Sequence, residues 1–379
     1  MSKYLPAALA GFILLAGCTP KPAEPVFAGL AVYKTYDSSR TFDTTKQSKN
    51  IYRPVKIDVF YPSAQKPATP GLTFGDIMDM YEQRFNFNTP VDSCHKTTVE
   101  LARLFCNYFH INSVDKYLNT RLTIYKGLAM PRHRLPLIIY AAGMNGSAWD
   151  NPVLFDSLAN NGYVVACVSS VGKYPGYMSD PVDMDEQVQD ILFTIKQMKA
   201  VPWVDSTKIG IVSWSMGGTA AVKAALQSKD IKAIASYDGT DIHAYGPDKG
   251  WDSEYNAIRA IPPANMQDIK VPYMYLRSEH PNKIDSMYSC LSLASSQQKF
   301  FVKFTDAIHE DFSSLPVIAA LAEPFAKNTH SNYHAVINRL TCLFFDEYVK
   351  KDKASNTAAY IDGLVKSDSS SYSKKWPEY

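Results

Sequence analysis

A serine lies where an apolar run that reads as a strand passes directly into an Ala-rich helical segment. Gly210 to Gly218 reads Gly-Ile-Val-Ser-Trp-Ser-Met-Gly-Gly. A Ser flanked by small residues between a strand and a helix is typical of a nucleophile elbow, a strained turn that exposes the hydroxyl above a sheet. Ser213 stands where Gly is usual and keeps the small side chain that the turn requires. The segment predicts Ser215 as the nucleophile of an acyl-transfer site.

A serine hydroxyl is a weak nucleophile and needs a histidine base, which comes last in the chain order nucleophile, acid, histidine. His309 is the preferred base because it follows the last predicted core strand, in the segment 306–314, where a loop can carry it over the sheet. His243 and His280 also follow Ser215 near strand ends and remain alternatives.

The acid that orients this histidine has three candidates. Asp238 directly follows the predicted strand Ile231 to Tyr237, and we favour it. Asp241 lies three residues further on, and Glu279 ends the next predicted strand, so both remain alternatives.

Acyl transfer also needs hydrogen-bond donors for the developing oxyanion. One expected donor is the backbone N–H of Met216, directly after the nucleophile. The other is the N–H of Met144, in the loop that follows Ala141, where Gly143 allows the backbone to turn. This chemistry requires no cofactor.

We predict no metal site. His330 and His334 share a helical face, but no third ligand lies close in sequence, which favours a surface or packing role. The cysteines lack the spacing of metal ligands.

The elements that must position these groups alternate between strand and helix from Leu135 onward, which indicates a mostly parallel sheet covered by helices on both faces, an α/β fold. The predicted strands are Leu135–Ala141, Tyr163–Val168, Lys208–Val212, Ile231–Tyr237, Val271–Leu276 and Lys299–Phe304. The predicted helices are Pro152–Asn160, Asp183–Lys199, Gly218–Ser228, a segment after Ser286, and a final amphipathic helix that carries Tyr333 and Phe344.

Other segments interrupt or flank this core. Val55 to Tyr61 alternates like an antiparallel edge strand. Residues 73–125 read as a helical insertion before the first core parallel strand, with a helix after a capping box of Thr97 and Glu100 and another suggested by Ile77, Tyr81 and Phe85. A second insertion covers 241–268, and the polar tail 351–379 is expected to fray.

The N-terminus predicts export. A Lys precedes an apolar run that is too short to span a bilayer, and the run ends in Leu-Ala-Gly-Cys, which resembles a bacterial lipobox. We therefore expect residues 1–17 to be a lipoprotein signal peptide, Cys18 to be lipidated, 18–26 to be a tether and 27–350 to be the catalytic domain. This places the protein in the bacterial cell envelope, anchored to the outer membrane and facing the periplasm or the surface.

Export permits disulfides among the other five cysteines. Cys94 and Cys106 are near neighbours and form the favoured bridge, whereas Cys167 lies in a predicted strand and is expected to stay free. The pairing among Cys94, Cys106, Cys290 and Cys342 is open from sequence alone.

Composition excludes two classes of protein. The 379 residues contain 39 Lys and Arg against 37 Asp and Glu, and 46% are hydrophobic. A disordered chain would be less apolar and less balanced in charge, and a nucleic-acid binder would carry clustered basic residues. We therefore expect a globular protein without a nucleic-acid partner.

With these residues laid out, the chain resembles the platelet-activating-factor acetylhydrolase-like branch of the α/β-hydrolases, near the dienelactone-hydrolase and polyester-hydrolase groups. The resemblance extends over about Val55 to Phe312. It rests on the strand Val55–Ser63, the elbow, Ser278 with Glu279, and His309-x-x-Phe-Ser. It implies a triad of Ser215, Asp238 and His309. The family has His-Gly at the oxyanion loop, whereas this chain has Ala142-Gly143.

The leading hypothesis is a serine esterase that hydrolyses short acyl esters of small-molecule or lipid-like alcohols through an acyl-enzyme. Two alternatives keep the chemistry and change the substrate: an esterase of acetylated polysaccharides, and a polyester hydrolase, which the Trp-Ser-Met-Gly-Gly elbow resembles. An alternative of another class is a binding lipoprotein that retains the fold and has lost catalysis.

Overall fold

The computed structural model describes residues 26–42, 51–178, 183–241, 268–279, 294–324 and 331–374. Several predictions lie outside these residues. They concern the signal peptide, Cys18, His243, His280, Cys290, His330, the helix after Ser286, and the interior of the insertion 241–268.

The described strands form a ten-stranded mixed sheet in the order β10-β9-β8-β7-β6-β4-β5-β2-β1-β3. The strands are β1 (Phe27–Thr41), β2 (Tyr52–Ser63), β3 (Ile124–Lys126), β4 (Leu135–Ala141), β5 (Val164–Val168), β6 (Val204–Trp214), β7 (Ile231–Tyr237), β8 (Tyr273–Ser278), β9 (Lys299–Phe304) and β10 (Tyr372–Ser373). Strands β4 to β9 are mutually parallel, β2 pairs antiparallel with β5 and β1, and β10 pairs antiparallel with β9.

The central strands are buried on both faces, which is why they read as continuous apolar runs. Every residue of β4 is buried, with Ile138 and Tyr140 in the core on one face and Leu137 and Ile139 in the core on the other. The predicted α/β fold is confirmed.

Helices cover both faces of this sheet. They are α1 (Phe74–Met78), α2 (Val91–Phe109), α3 (Val114–Leu118), α4 (Pro152–Asn160), α5 (Met184–Lys199), α6 (Gly217–Gln227), α7 (Leu315–Ala322), α8 (Ser331–Phe345) and α9 (Thr357–Ser367). α5 and α6 pack on the face that holds Leu137, while α2, α4 and α8 pack on the face that holds Tyr140. None of the described helices has the length and hydropathy needed to cross a membrane.

The sheet extends beyond the predicted strand Val55–Tyr61. That segment lies within β2 and is antiparallel as predicted, but it is not an edge strand, because β1 and β3 lie outside it. β1 was not predicted because its sequence is polar and its burial irregular after the first few residues.

The helical insertion has a different internal arrangement from the one predicted. α2 begins at Val91, so Thr97 and Glu100 lie inside the helix, and the capping box is formed by Thr73 and Asp76 at the start of α1. Of the spaced residues, Ile77 lies in α1, while Tyr81 and Phe85 flank a short 3₁₀ turn.

The expected fraying of the tail is wrong for residues 357–373, which form α9 and β10. Asn356 caps α9 by accepting a hydrogen bond from the N–H of Ala359, and Tyr372 of β10 packs edge-to-face on Phe304. Pairing of β10 with β9 closes this side of the sheet.

The favoured disulfide between Cys94 and Cys106 is also wrong. Both lie in α2, twelve positions apart, and a helix rises about 1.5 Å per residue, so their Cα atoms are about 18 Å apart. A disulfide requires less than about 7 Å. Cys94, Cys106, Cys167 and Cys342 are all buried free thiols.

Candidate active site

Ser215 occupies the turn between β6 and α6 with a φ of 56°. This left-handed conformation is costly for a residue with a side chain and persists where neighbours fix it. The Ser215 N–H donates to the carbonyl of Tyr237 at 3.1 Å, and its own carbonyl accepts from the N–H groups of Gly218 (3.0 Å) and Thr240 (3.1 Å). The turn is therefore held by the end of β7, by the loop that follows β7 and by the start of α6.

Small residues let the elbow pack against the end of β4. A Cβ on Gly217 would lie 2.1 Å from the carbonyl oxygen of Ala141, and one on Gly143 would lie 3.0 Å from the ring of Trp214. Ser213 is fully buried between β4 and β7, paired in register with Ala141 and Ser236. The Gly residues after Ser215 are thus required by backbone contacts.

Asp238 and His309 lie side by side at the carboxyl end of the parallel strands. Asp238 directly follows β7, its side chain is completely buried, and its Oδ2 lies 2.7 Å from Nδ1 of His309. His309 begins a 3₁₀ turn after β9, and 24% of its side chain is exposed. The contact orients the imidazole with Nδ1–H toward the carboxylate, which leaves Nε2 as the basic nitrogen.

Ser278, the last residue of β8, supports this carboxylate from the other side. Its N–H donates to Oδ1 of Asp238 at 3.1 Å, and its hydroxyl donates to Oδ2 at 2.8 Å. With the imidazole, Asp238 accepts from three groups that belong to two neighbouring elements. A buried carboxylate held in this way has little freedom to turn from the histidine.

Trp214 restrains the position of His309 through two contacts. Its ring stacks on the imidazole with centroids 5.1 Å apart and planes at 25°, and its Nε1–H donates to the His309 carbonyl at 3.2 Å. Because Trp214 immediately precedes Ser215, the residue before the nucleophile also positions the candidate base.

The two predicted oxyanion donors lie on the elements that meet at the elbow. Met216 is fully buried and is the N-terminal cap residue of α6. Met144 follows Gly143, whose position is so close to the nucleophile that a Cβ there would lie 3.4 Å from Cβ of Ser215. The loop after β4 therefore runs directly beside Ser215.

The buried carboxyl group of Asp150 restrains the loop after β4 by hydrogen bonds. It accepts from the N–H groups of Gly143 (3.2 Å) and Ser147 (3.3 Å) and from the hydroxyl of Tyr140 (3.2 Å). Its backbone carbonyl accepts from the N–H of Ser314, in the loop after His309. Burial raises the pKa of Asp150 to about 7, against the lowering effect of these hydrogen bonds.

Aromatic residues of the helical insertion form a wall, here called the aromatic wall, beside the loop after β4 and the turn that begins at His309. The Tyr81 hydroxyl donates to the carbonyl of Asn145, beside the predicted oxyanion donor. Trp149 packs edge-on against Tyr81, with centroids 6.0 Å apart, and at a tilt of 45° against Phe105, with centroids 5.2 Å apart. The Tyr108 hydroxyl donates to Glu310, the residue after the candidate base, at 2.9 Å.

The alternative acids have other partners. Glu279 accepts from Lys303 Nζ at 2.6 Å, and this hydrogen bond lowers the pKa of Glu279. Asp241 is buried beneath the start of α6, where its Oδ1 accepts from the Ser236 hydroxyl at 2.8 Å. Of the three candidates, it is Asp238 whose carboxylate contacts His309.

His334, for which a surface or packing role is predicted above, is a buried residue of α8 and therefore packs. Its Nε2 lies 3.3 Å from the Ser314 hydroxyl and its Nδ1 lies 3.2 Å from Asn338 Nδ2. Burial lowers its pKa to about 4, so the ring is neutral at physiological pH. Among the described residues no group of three metal-ligating side chains comes together.

Sequence reasoning missed Ser278, Trp214, Asp150 and Tyr108 as contributors to the site. Ser278 and Trp214 carried a signal, because each ends a strand next to a predicted catalytic residue. Asp150 and Tyr108 carried none, because their roles depend on contacts between segments far apart in sequence.

Comparison with known proteins agrees with the α/β fold. Residues 127–285 match the model of the dienelactone hydrolase family, a stretch that contains the elbow and Asp238. A ferulic acid esterase from Streptomyces cinnamoneus has a similar structure, with a TM-score of 0.61 and 17% sequence identity over 89% of this chain and 95% of that chain. At this identity the likeness shows a shared fold. No curated protein matches the sequence.

Proposed function

We propose that this chain, a dienelactone-hydrolase-like α/β-hydrolase and a carboxylic ester hydrolase, cleaves short acyl esters through a covalent intermediate on Ser215. The observation that carries the proposal is the 2.7 Å contact between Asp238 and His309, beside a serine held at positive φ. An oriented imidazole near a partly buried serine in a strand-to-helix turn is the arrangement that nucleophilic ester hydrolysis requires.

The reaction follows from the roles of these groups. Nε2 of His309 takes the proton of the Ser215 hydroxyl as the oxygen attacks the ester carbonyl. The buried carboxylate of Asp238 stabilises the imidazolium that forms. The N–H groups of Met216 and Met144 donate to the oxyanion, and His309 then returns the proton to the leaving alcohol. Water, activated by the same imidazole, hydrolyses the acyl-enzyme and frees Ser215.

The test is Ser215→Ala, assayed on p-nitrophenyl acetate. We expect turnover to fall by about a thousandfold or more, because removal of the nucleophile leaves only binding and oxyanion stabilisation. The circular dichroism spectrum should be unchanged. Retention of most of the turnover in the variant would contradict the proposal.

A fluorophosphonate probe separates this proposal from a non-catalytic binding lipoprotein, because it labels only an activated serine. We expect labelling of the natural chain and none of Ser215→Ala. Absence of labelling in both would favour the binding protein.

A second substrate class is favoured by the aromatic wall, in which the buried Tyr81 and Trp149 support the partly exposed Phe105 and the half-exposed Tyr177. Such a surface suits an aromatic acyl group or a sugar ring, and the structural neighbour is named a ferulic acid esterase. A panel of acetylated sugars, short acyl esters, polyester fragments and methyl ferulate compared by kcat/KM decides among these substrates.

We also propose that the chain is exported and anchored through a lipid on Cys18. The support is the sequence Leu-Ala-Gly-Cys after a short apolar run. Mass spectrometry of the N-terminal peptide from membrane fractions should find a diacylated Cys18, and Cys18→Ser should release the enzyme from the membrane or block its processing.

A further inference from the structure

An apolar groove of about 620 Å³ lies at the end of the sheet opposite the candidate active site. It is lined by Val26, Pro62, Met130, Pro131 and Leu135, among others. Leu135 begins β4, whereas the candidate site lies where the parallel strands end. The groove is therefore separated from Ser215 by the length of the sheet.

The rim of this groove is basic. Lys66, Lys126, Arg132 and Arg134 are exposed and lie in or next to the lining segments. None of the four makes an ion pair or hydrogen bond with any residue in the part of the chain that the structure describes. The segments 59–75 and 116–149, which supply most of the lining, contain no Asp or Glu. One carboxylate, that of Asp156, contacts this region, where it accepts from Thr123 and Asn160. Four cations against one carboxylate leave the rim with a net positive charge.

Apolar side chains project within this basic rim. Val26 is 39% exposed and Met130 is 40% exposed, and both line the groove. Exposed apolar residues surrounded by unpaired cations are typical of surfaces that lie on anionic bilayers, where the apolar groups enter the interface and the cations pair with phosphates.

The chain also enters the domain at this place. Val26 lies eight residues after Cys18, and eight extended residues reach at most about 30 Å. A lipid on Cys18 would thus keep this end of the sheet close to the membrane.

We propose that this basal surface, formed by Val26, Met130, Lys66, Lys126, Arg132 and Arg134, rests on an anionic phospholipid bilayer and turns the candidate active site away from it. The phosphates pair with the basic rim while Met130 and Val26 enter the interface. The proposal does not depend on Ser215 chemistry, so the two can fail independently.

The test uses the full chain with Cys18→Ser, so that no lipid is attached. Sedimentation is measured with vesicles of phosphatidylcholine alone and of phosphatidylcholine mixed with phosphatidylglycerol. We expect tighter binding to the mixed vesicles, lost at high salt because Debye screening weakens surface attraction. The apolar segment before Cys18 is present in every form and contributes equally.

Arg132→Glu with Arg134→Glu, in the same background, should weaken binding to the mixed vesicles by at least about tenfold, since each basic residue near such a surface contributes about 1 kcal/mol. The matched control is Lys366→Glu with Lys374→Glu, which makes the same charge change beside β10, at the opposite edge of the sheet. The control should bind within about threefold of the parent, because its charges lie away from the interface.

Met130→Ser should weaken the same binding by about threefold or more, because less apolar area leaves water. Ester turnover of every variant should match the parent, which shows that each is folded. Equal vesicle binding by the Arg132/Arg134 pair and its control would overturn the proposal. So would dimerisation in solution that the Arg132/Arg134 pair abolishes, because a second copy would then cover this surface.

Discussion

At the scale of single residues, the candidate site depends on a carboxylate whose surroundings leave it one orientation. Asp238 is completely buried and accepts from the backbone and hydroxyl of Ser278 and from His309. Each donor stabilises the charged form, and together they compensate for removal of the carboxylate from water.

These surroundings predict losses of kcat of very different size for substitution of the two acids that follow neighbouring strands, Asp238 and Glu279. Asp238→Asn should lower kcat on p-nitrophenyl acetate by about a thousandfold or more, because an amide no longer stabilises the imidazolium and favours the wrong tautomer. Glu279→Gln removes a partly exposed ion pair with Lys303 and should change kcat by less than about tenfold. A larger loss in Glu279→Gln than in Asp238→Asn would assign the acid to Glu279.

Asp150 predicts a pH dependence of stability. Its pKa is about 7 in the folded protein and 3.8 in an unperturbed chain, so between these values the folded state retains a proton that the unfolded state has lost. The contribution of Asp150 to the free energy of unfolding therefore falls as pH rises through this window. Denaturant titrations near both ends of the window should show this loss in the natural protein and a smaller one in Asp150→Asn. The exposed Asp115→Asn is the control and should retain the full loss.

At the scale of elements, the site depends on how closely the ends of β4, β6, β7 and β9 approach each other and the start of α6. The end of β4 meets the start of α6 at Gly217, where the distances leave no room for a side chain. Backbone cannot move aside as a flexible side chain can, so the fit between these two elements is rigid.

Two Gly→Ala substitutions test this fit. Gly217→Ala should lower the free energy of unfolding by about 1–3 kcal/mol and lower kcat at least about tenfold, because the new Cβ displaces the loop of Met144. At Gly363 in α9, an added Cβ would have no atom of the surrounding structure within 4 Å. Gly363→Ala should therefore raise the free energy of unfolding by about 0.5–1 kcal/mol. Denaturant melts and steady-state kinetics of both variants measure these effects. A Gly217→Ala variant as active and stable as the parent would disprove the close approach.

The elements that sequence predicted best are those whose burial dictates their composition. β4, β7 and β9 have the predicted bounds. For β4 and β7 the reason is that a strand buried on both faces must be mostly apolar, whereas β9 is partly exposed and carries Lys at two of its partly exposed positions. β1 was not predicted, because its partly exposed surface permits polar residues and its sequence therefore lacks a continuous apolar run. The roles of Asp238 and Ser215 could be predicted because each residue follows a predicted strand. The role of Asp150 could not, because it depends on how the loop after β4 folds over this carboxyl group.

At the scale of the whole molecule, the described domain is stabilised by packing without cross-links. Cys106, Cys167 and Cys342 lie in the core on the face of the sheet that holds Tyr140, and Cys94 is buried in α2. Burial raises the pKa of each thiol. A buried thiol with a raised pKa is a poor nucleophile and resists oxidation.

We therefore expect dithiothreitol to leave the thermal unfolding midpoint unchanged. A disulfide typically contributes about 2–4 kcal/mol, so its reduction would lower the midpoint by several degrees. Calorimetry with and without the reductant measures this. A clear decrease on reduction would mean that a cross-link forms in the folded protein.

The strand order has a consequence for how the protein acquires activity as it folds. The candidate catalytic groups come from the ends of β4, β6, β7 and β9, and the pair that touches at 2.7 Å is separated by 71 positions in the chain. Contacts between distant segments form slowly, because loop closure costs entropy before the contact compensates for it. Local helices such as α2 can recover their dichroism early in refolding. Ester turnover, by contrast, should return only when β9 has joined the sheet. The recovery of activity during refolding therefore reports the completion of folding.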